Sequence, residues 1–431
     1  MILAAFLVFY RLLWVLLTPL VMIYLWHRGR RDPDYTSHLL ERFGRYPRLP
    51  QHPIWIHAVS LGELRSAVPL ARDLLNSGET IVFTHFTPAG RREAHNVFAD
   101  DIAAGRVASV WVPLDIHWIF RRFFRACHPK MGLTMEIEIW PAMVMASRAS
   151  SVPLYMCNAQ YPSKSIKRDS TKLRIRQRIM GKFAGAFVKS QLQADRFSKV
   201  GVSNIHITGE LRFDQPVPPA LLDAAATVAP NLAGRPILTI ASAIEGEDPI
   251  FIDAIKALHQ QSQKPLVIYV PRAPERFSEV GSMLTDAGFK IAKRSDLFGD
   301  DLSLNTDWPS DIDILLGDSM GEMYFYLSLA DRVIVGGGFH PNGAHNVIEP
   351  LALAKPVVTG PHTFTIEYPF TEAEAAGVAC SVPNAEELAA LLMGPDWTTT
   401  TDIAGFMQAH SGASKRTVAT IKSELSHQAD I

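Results

Sequence analysis

PIWIHAVSLGELRSAVPLARDLL, Pro53 to Leu75, is the stretch on which the reading of the fold turns. It opens with a short apolar run of strand length and continues with apolar residues recurring at helical spacing. A strand that turns directly into a helix is the first half of a βαβ unit. Glu63 stands in the turn, between Gly62 and the helical segment. Two roles suit an acid there. Carboxylates favour the first turn of a helix because its exposed N–H groups and macrodipole attract negative charge. The C-terminal end of a parallel strand is also where open α/β sheets place their ligand crevices, which makes Glu63 a candidate catalytic base.

Outward from this stretch the same alternation repeats. TIVFTHFT, ASVWVPLD, KMGLTMEIEIW, VPLYMCNA, GAFVKS and NIHITGE follow as short apolar runs between helix-length segments. The proline- and alanine-rich segment 214–236 then breaks the pattern and reads as an interdomain connection. After it come PILTIAS, KPLVIYV, FKIAKR, DIDILLGD, DRVIVGGG, KPVVTG and GVACSV. The expected architecture is α/β, with two doubly wound Rossmann-like domains, 32–213 and 237–431, facing a cleft. A length of 431 residues accommodates two such domains.

Lys plus Arg number 42 against 43 Asp plus Glu, so no global charge points to nucleic acid and an anionic partner needs a local patch. Cys127, Cys157 and Cys380 are far apart and odd in number, which argues against a disulfide framework or a zinc site. The N-terminus differs from the rest: Ile2 to Trp26 is almost wholly apolar, interrupted by Arg11 and Pro19. Its length suffices to span a bilayer, and a tilted interfacial helix would also tolerate both interruptions. HRGRR, His27 to Arg31, follows with no small-residue cleavage site, so residues 1–31 read as an anchor with a basic flank. The positive-inside rule places the body in the cytoplasm.

Three loop motifs end strands of the second half. In VPRAPERF, Arg272 leaves a strand end where it could fork onto a phosphate or simply face solvent. In GDSMGEMYFYLSLAD, Ser319 can cap a helix, and the N–H groups of Met320, Gly321 and Glu322 can point at an anion. In VGGGFHPNGAHNVIEP, three glycines precede Asn346 and Glu349, whose Asn-x-x-Glu spacing also resembles a capping box. Three such loops in one domain favour a nucleotide site. Asp311 and Asp313 form a DxD pair, but they open an apolar run and read as a strand edge. No GxxxxGK[ST] occurs, which removes the P-loop reading. The basic run Lys164 to Lys182 reads as a solvated face, or as a patch for anionic lipid in a tethered protein.

Taken in order, HAVSLGE, MEIEIWP, TGELRFD, VPRAPERF, GDSMGE, GAHNVIEP and GPHTF resemble the motifs of the Kdo transferases of Gram-negative bacteria. These move 3-deoxy-D-manno-octulosonic acid (Kdo) from CMP-Kdo to a lipid A precursor. The resemblance implies a GT-B fold with acceptor on the N-terminal domain and donor on the C-terminal one. It implies that Glu63 is the catalytic base and that Glu136 and Arg212 support the transition state. By the same resemblance Pro271, Arg272, Met320, Gly321, Glu322, Asn346, Val347, Ile348 and Glu349 hold CMP. No metal and no further cofactor is implied, and the setting is the cytoplasmic face of the inner membrane. The chain departs from the family pattern at Arg212, usually Lys, at Ile244, usually His, and at Ala142, Gln160, Pro162 and Ala344. A divergent paralogue acting on another lipid or glycan, and an inactive CMP-sugar-binding scaffold, are the competing readings.

Overall fold

The computed structural model describes residues 2–170, 173–232, 234–262, 264–394 and 402–429. Each apolar run identified from the sequence is a strand. In the first half they are β1 (Ile54–His57), β2 (Ile81–His85), β3 (Val107–Trp111), β4 (Met131–Met135), β5 (Leu154–Ala159), β6 (Gly185–Val188) and β7 (Ile205–Ile207). In the second half they are β8 (Ile237–Ala243), β9 (Leu266–Pro271), β10 (Ile291–Lys293), β11 (Ile314–Leu316), β12 (Arg332–Val335), β13 (Val357–Thr359) and β14 (Ala379–Ser381).

The first sheet runs β3-β2-β1-β4-β5-β6-β7 and the second β10-β11-β9-β8-β12-β13-β14. Every strand pair is parallel, and such sheets are covered on both faces, which is why their strands are apolar throughout. Around β1, Trp55 packs on one face with Phe120, Phe123 and Phe124. Ile54 and Ile56 meet Leu64, Leu70 and Leu74 of the helix Leu61–Asn76 on the other. Burying each of these large side chains stabilises the unit by about 1.5–3 kcal/mol. Strand order reverses between β1 and β4 in one sheet and between β8 and β12 in the other. These switch points open crevices at the C-terminal strand ends.

The chain divides into two units, Met1–Gln215 with Ser411–Ile431, and Pro216–His410. This corrects two expected boundaries. Segment 214–236 is not a loose connection, because the helix Pro219–Val228 buries Ala225 and Val228 in the second unit's core beside Phe325. Its alanines are helix formers, and Pro219 suits a first helical position. The C-terminal helix Ala413–Ala429 does not belong to the second unit. It returns to the first, where Ala413, Val418 and Ile421 join the core beside Leu64 and Ala71. Asp214 accepts from the N–H groups of Gly412 (2.5 Å) and Ser414 (2.6 Å), fixing where this helix begins. The N-terminal helix Ile2–Gly29, 28 residues long, is apolar enough and long enough to cross a membrane.

Candidate active site

In the first unit, β1 hands over to the helix Leu61–Asn76 through Ser60, whose extended backbone and Oγ cap the helix by accepting from Glu63 N–H (3.3 Å). The Glu63 carboxylate accepts from Val59 N–H (2.6 Å). The helix-start role foreseen for this acid is therefore present. More surrounds it than a helix end requires. Burial, then the nearby Glu136 and Glu138, push the Glu63 carboxyl up to about 8, against the pull of its backbone donor.

Glu136 and Glu138 follow β4, on the far side of the switch point. Glu136 adopts a left-handed backbone (φ 57°), which a non-glycine residue keeps only when its surroundings enforce it. Its carboxylate accepts from Arg212 Nη2 (3.2 Å), and Arg212 Nε donates to Ser66 Oγ (3.0 Å), one turn along the helix from Glu63. Glu138 accepts from Trp140 Nε1 (2.8 Å), and burial raises its carboxyl above the usual range. The Trp140 ring stands edge-on to His57 at 5.1 Å, where burial lowers that imidazole to about 4 and keeps it neutral.

The turn that carries Arg212 rests on a buried polar network. Glu210 pairs with Lys189 (2.6 Å), both side chains being almost wholly buried, and accepts from Asn158 Nδ2 (2.7 Å) and Arg212 N–H (3.2 Å). Asn158 Oδ1 in turn accepts from Leu211 N–H (3.0 Å). Burial opposes the charge on Glu210, yet Lys189 and Arg212 overcome it and hold this acid below the usual range. Satisfied ion pairs of this kind fix geometry more than they add stability. The result is a raised-pKa carboxylate beside a positioned guanidinium, an arrangement suited to taking a proton while a neighbouring charge develops.

The second unit builds its switch point differently. Glu247, fully buried, accepts from the N–H groups of Ile244 (3.2 Å), Gly337 (2.7 Å) and Phe339 (2.9 Å), clamping the end of β8 to the glycine loop after β12. Gly337 has φ 87°, and a Cβ on Gly338 would lie 2.3 Å from Thr359 Oγ1, so this loop requires glycine. Arg272 N–H donates to Ala243 O (2.9 Å), tying the end of β9 to β8. Burial first, and then the Arg272 guanidinium, lower His345 to about 4. Asn346 Oδ1 accepts from Ile348 N–H (3.0 Å), but the helix Ile348–Ala352 has Val347 at its N-cap and no side-chain cap bond, so the capping-box reading of Asn346 does not hold. Glu349 lies close to Tyr324, adding to the burial that raises the phenol.

Ser319 departs from its expected role. It caps no backbone N–H; its hydroxyl meets Glu322 and Tyr326 (2.7 Å), while Arg294 grips Glu322 with two bonds of 2.6 and 2.8 Å. The network fixes the loop before the helix Met323–Leu329, in which Gly321 has φ 88°. The N–H groups of Met320, Gly321 and Glu322 find no acceptor among the described residues. Asp311 pairs with Lys290 (2.8 Å) and Asp313 accepts from Lys290 N–H (2.9 Å), in line with the strand-edge reading. Lys172 of the basic run lies outside the described residues.

Within the first unit the fold thus gathers Glu63, Glu136 and Arg212, which lie far apart in sequence. Within the second, Pro271, Arg272, Met320, Gly321 and Glu322 fall at or soon after strand ends of one sheet, while 346–349 lie beyond the glycine loop that follows β12. Two functional candidates went unnoticed. Glu138 sits two residues beyond Glu136 in the same MEIEIWP motif, and Glu247 lies in ASAIEGE directly after β8. Position alone was their signal.

Two Rossmann-like sheets of seven parallel strands are the parts of a GT-B glycosyltransferase. The fold is similar to that of Acinetobacter baumannii MurG, with a TM-score of 0.53 at 13% identity over 88% of this chain and 100% of that one. The family model described as 3-deoxy-D-manno-octulosonic-acid transferase matches residues 37–215. Over 423 residues the chain is 35% identical to the 3-deoxy-D-manno-octulosonic acid transferase of Bordetella pertussis, covering 95% of this chain and 97% of that one. With the enzyme of the same name from Haemophilus influenzae it shares 31% identity over 367 residues, 83% of this chain and 82% of that one. The chain belongs to the Kdo transferase family, whose members are glycosyltransferases.

Proposed function

We propose that the protein moves Kdo from CMP-Kdo to a lipid A precursor of the lipid IVA type, with inversion, in lipopolysaccharide biosynthesis. The observation that carries this reading is the Glu63 carboxyl, pushed up to about 8 beside Glu136 and Glu138, with Arg212 held against Glu136. In the proposed step an acceptor sugar hydroxyl attacks the anomeric carbon of Kdo. Glu63 takes the hydroxyl proton, the anomeric C–O bond to the phosphate breaks, and its electron pair leaves with CMP. A phosphate monoester needs no proton to depart if positive groups receive its charge. Arg272 and the N–H groups of Met320, Gly321 and Glu322 suit that task, and Asn346 with Glu349 suit the ribose hydroxyls. Pro271, Val347 and Ile348 shape the same loops. No step calls for a metal or a further cofactor.

The helix Ile2–Gly29 and its basic flank hold the protein at the cytoplasmic face of the inner membrane, where such an acceptor is found. The basic run from Lys164 adds attraction for anionic lipid. The test is to incubate detergent-solubilised protein with CMP-Kdo and a tetraacyl lipid A precursor and to weigh the lipid. A mass gain of one or more Kdo residues supports the reading. An unchanged precursor, with Kdo transferred to a different lipid or to none, contradicts it.

A further inference from the structure

The N-terminal helix carries more information than its length. Along Ile2–Gly29 the half-buried residues recur every three or four positions, among them Leu3, Phe6, Tyr10, Leu17 and Val21, and the stripe ends at fully buried Leu25. Leu3 and Phe6 pack against the core of the first unit, near one end of the helix. Tyr10 OH donates to the buried Asp115 (2.6 Å), which also accepts from the N–H groups of Ala142 and Met143. At the other end Arg28 bonds Tyr35 OH (2.8 Å). The helix therefore meets the body near both ends, through Leu3, Phe6 and Tyr10 and again through Leu25 and Arg28. The opposite face exposes Phe9, Leu12, Leu16, Leu20, Ile23 and Trp26.

We infer that this helix lies flat in a single leaflet of an anionic bilayer, with the body beside it at the headgroups, and does not cross the membrane. The inference rests on the membrane reading under Proposed function and deepens it. A helix of 28 residues is about 42 Å long, longer than the roughly 30 Å hydrocarbon core. Because the body holds it both near Leu3 to Tyr10 and near Leu25 to Arg28, a crossing helix would drag folded polar structure into hydrocarbon. The short helix Ile175–Met180, with Arg176 and Arg178, touches it, as does the buried Asp115 carboxylate through Tyr10. Buried in one leaflet, the same helix uses only its apolar face.

Arg11 fits this orientation. At 3.6 residues per turn it is rotated about 100° from Leu12, onto the border between the exposed face and the body. There it lies near His117, whose pKa is lowered by burial and then by Arg11 and Arg121. Next to His117, Trp118 is half exposed, and Leu173, beside Arg174, is exposed as well. Apolar rings and leucines interleaved with arginines are the pattern of a surface that sits at the headgroup level of anionic lipid.

Single cysteines at Ile2, Leu12 and Ile23, in full-length protein with Cys380→Ser, test the orientation by spin-label depth in phosphatidylethanolamine–phosphatidylglycerol vesicles. Flotation of the same vesicles reports binding independently. A flat helix puts the three labels at one shallow depth, and an impermeant maleimide added on the side of the body reacts with Ile2→Cys. A crossing helix puts the Leu12 label roughly 15 Å deeper than the outer two and shields Ile2→Cys behind the bilayer, by 1.5 Å of rise per residue. That result overturns the inference and leaves the membrane reading standing. Protein that fails to float overturns both.

Discussion

The two switch points share a topology and differ in material. In the first unit the crevice is lined by ionisable side chains: Glu63, Glu136, Glu138 and Arg212. In the second it is made largely of backbone, with three N–H groups before the helix Met323–Leu329 and a glycine loop held by Glu247. Backbone donors suit an anion that is bound and released unchanged in charge class, because they carry fixed partial charge and cannot titrate. Carboxylates near one another suit proton transfer, because burial and mutual repulsion bring a pKa close to the working pH. The comparison supports the proposed division, with proton chemistry in the first unit and phosphate recognition in the second.

Substitutions can break that division, and the largest effect belongs to Glu63. Glu63→Gln keeps shape and the Val59 contact, so CMP affinity should stay at the wild-type value while single-turnover transfer falls by roughly two to four orders of magnitude. Equal loss of CMP binding by calorimetry would mean the two sites are not separate in function. Next comes Arg212→Ala, which removes the cation paired with Glu136. Transfer should drop about 10²–10³-fold, as for loss of a positioned donor to developing charge, again with CMP binding retained. In the second unit, Arg272→Ala and Glu349→Ala should each weaken CMP by about 1–3 kcal/mol. Wild-type affinity in both would remove them from the nucleotide site.

The smallest expected effect is on stability, and its sign follows from linkage. Glu63 titrates near a carboxyl's usual 4.5 when unfolded and at about 8 when folded. The folded state thus holds this proton more tightly. The stability it contributes is fully present below 4.5 and is lost as pH rises through 8. Glu63→Gln lacks this dependence, so its melting temperature should gain on the wild type between those limits. Parallel melting curves in the two proteins would show that Glu63 is not strained.

Much of this was legible in the sequence because strand periodicity and loop chemistry are local. Every strand could be read from an apolar run, Glu63 and Arg272 stood out at strand ends, and Asn346 stood out beyond the glycine loop. What escaped depends on tertiary packing. Nothing local in Ala413–Ala429 says that its apolar side fills a groove on the first unit, and the alanines of Pro219–Val228 read as linker until Phe325 covers them. Ser319 had the composition of a cap, yet Tyr326 and Glu322, itself held by Arg294, offered its hydroxyl better partners. Glu138 and Glu247 lacked any distinguishing neighbour, and only the reversal of strand order makes their positions meaningful.

The central claim, that Glu63 is the base of the first unit's site, is tested most directly by the pH dependence of kcat/KM, which reports the free enzyme's essential groups. Below the Glu63 midpoint of about 8, kcat/KM should rise close to tenfold per pH unit as the carboxyl loses its proton, then level off. Glu138→Gln, which removes one of the repelling charges, should move the midpoint down, and the Glu63→Gln variant should lose this limb. A limb that persists unchanged in Glu63→Gln would contradict the account, because another group would then be taking the proton.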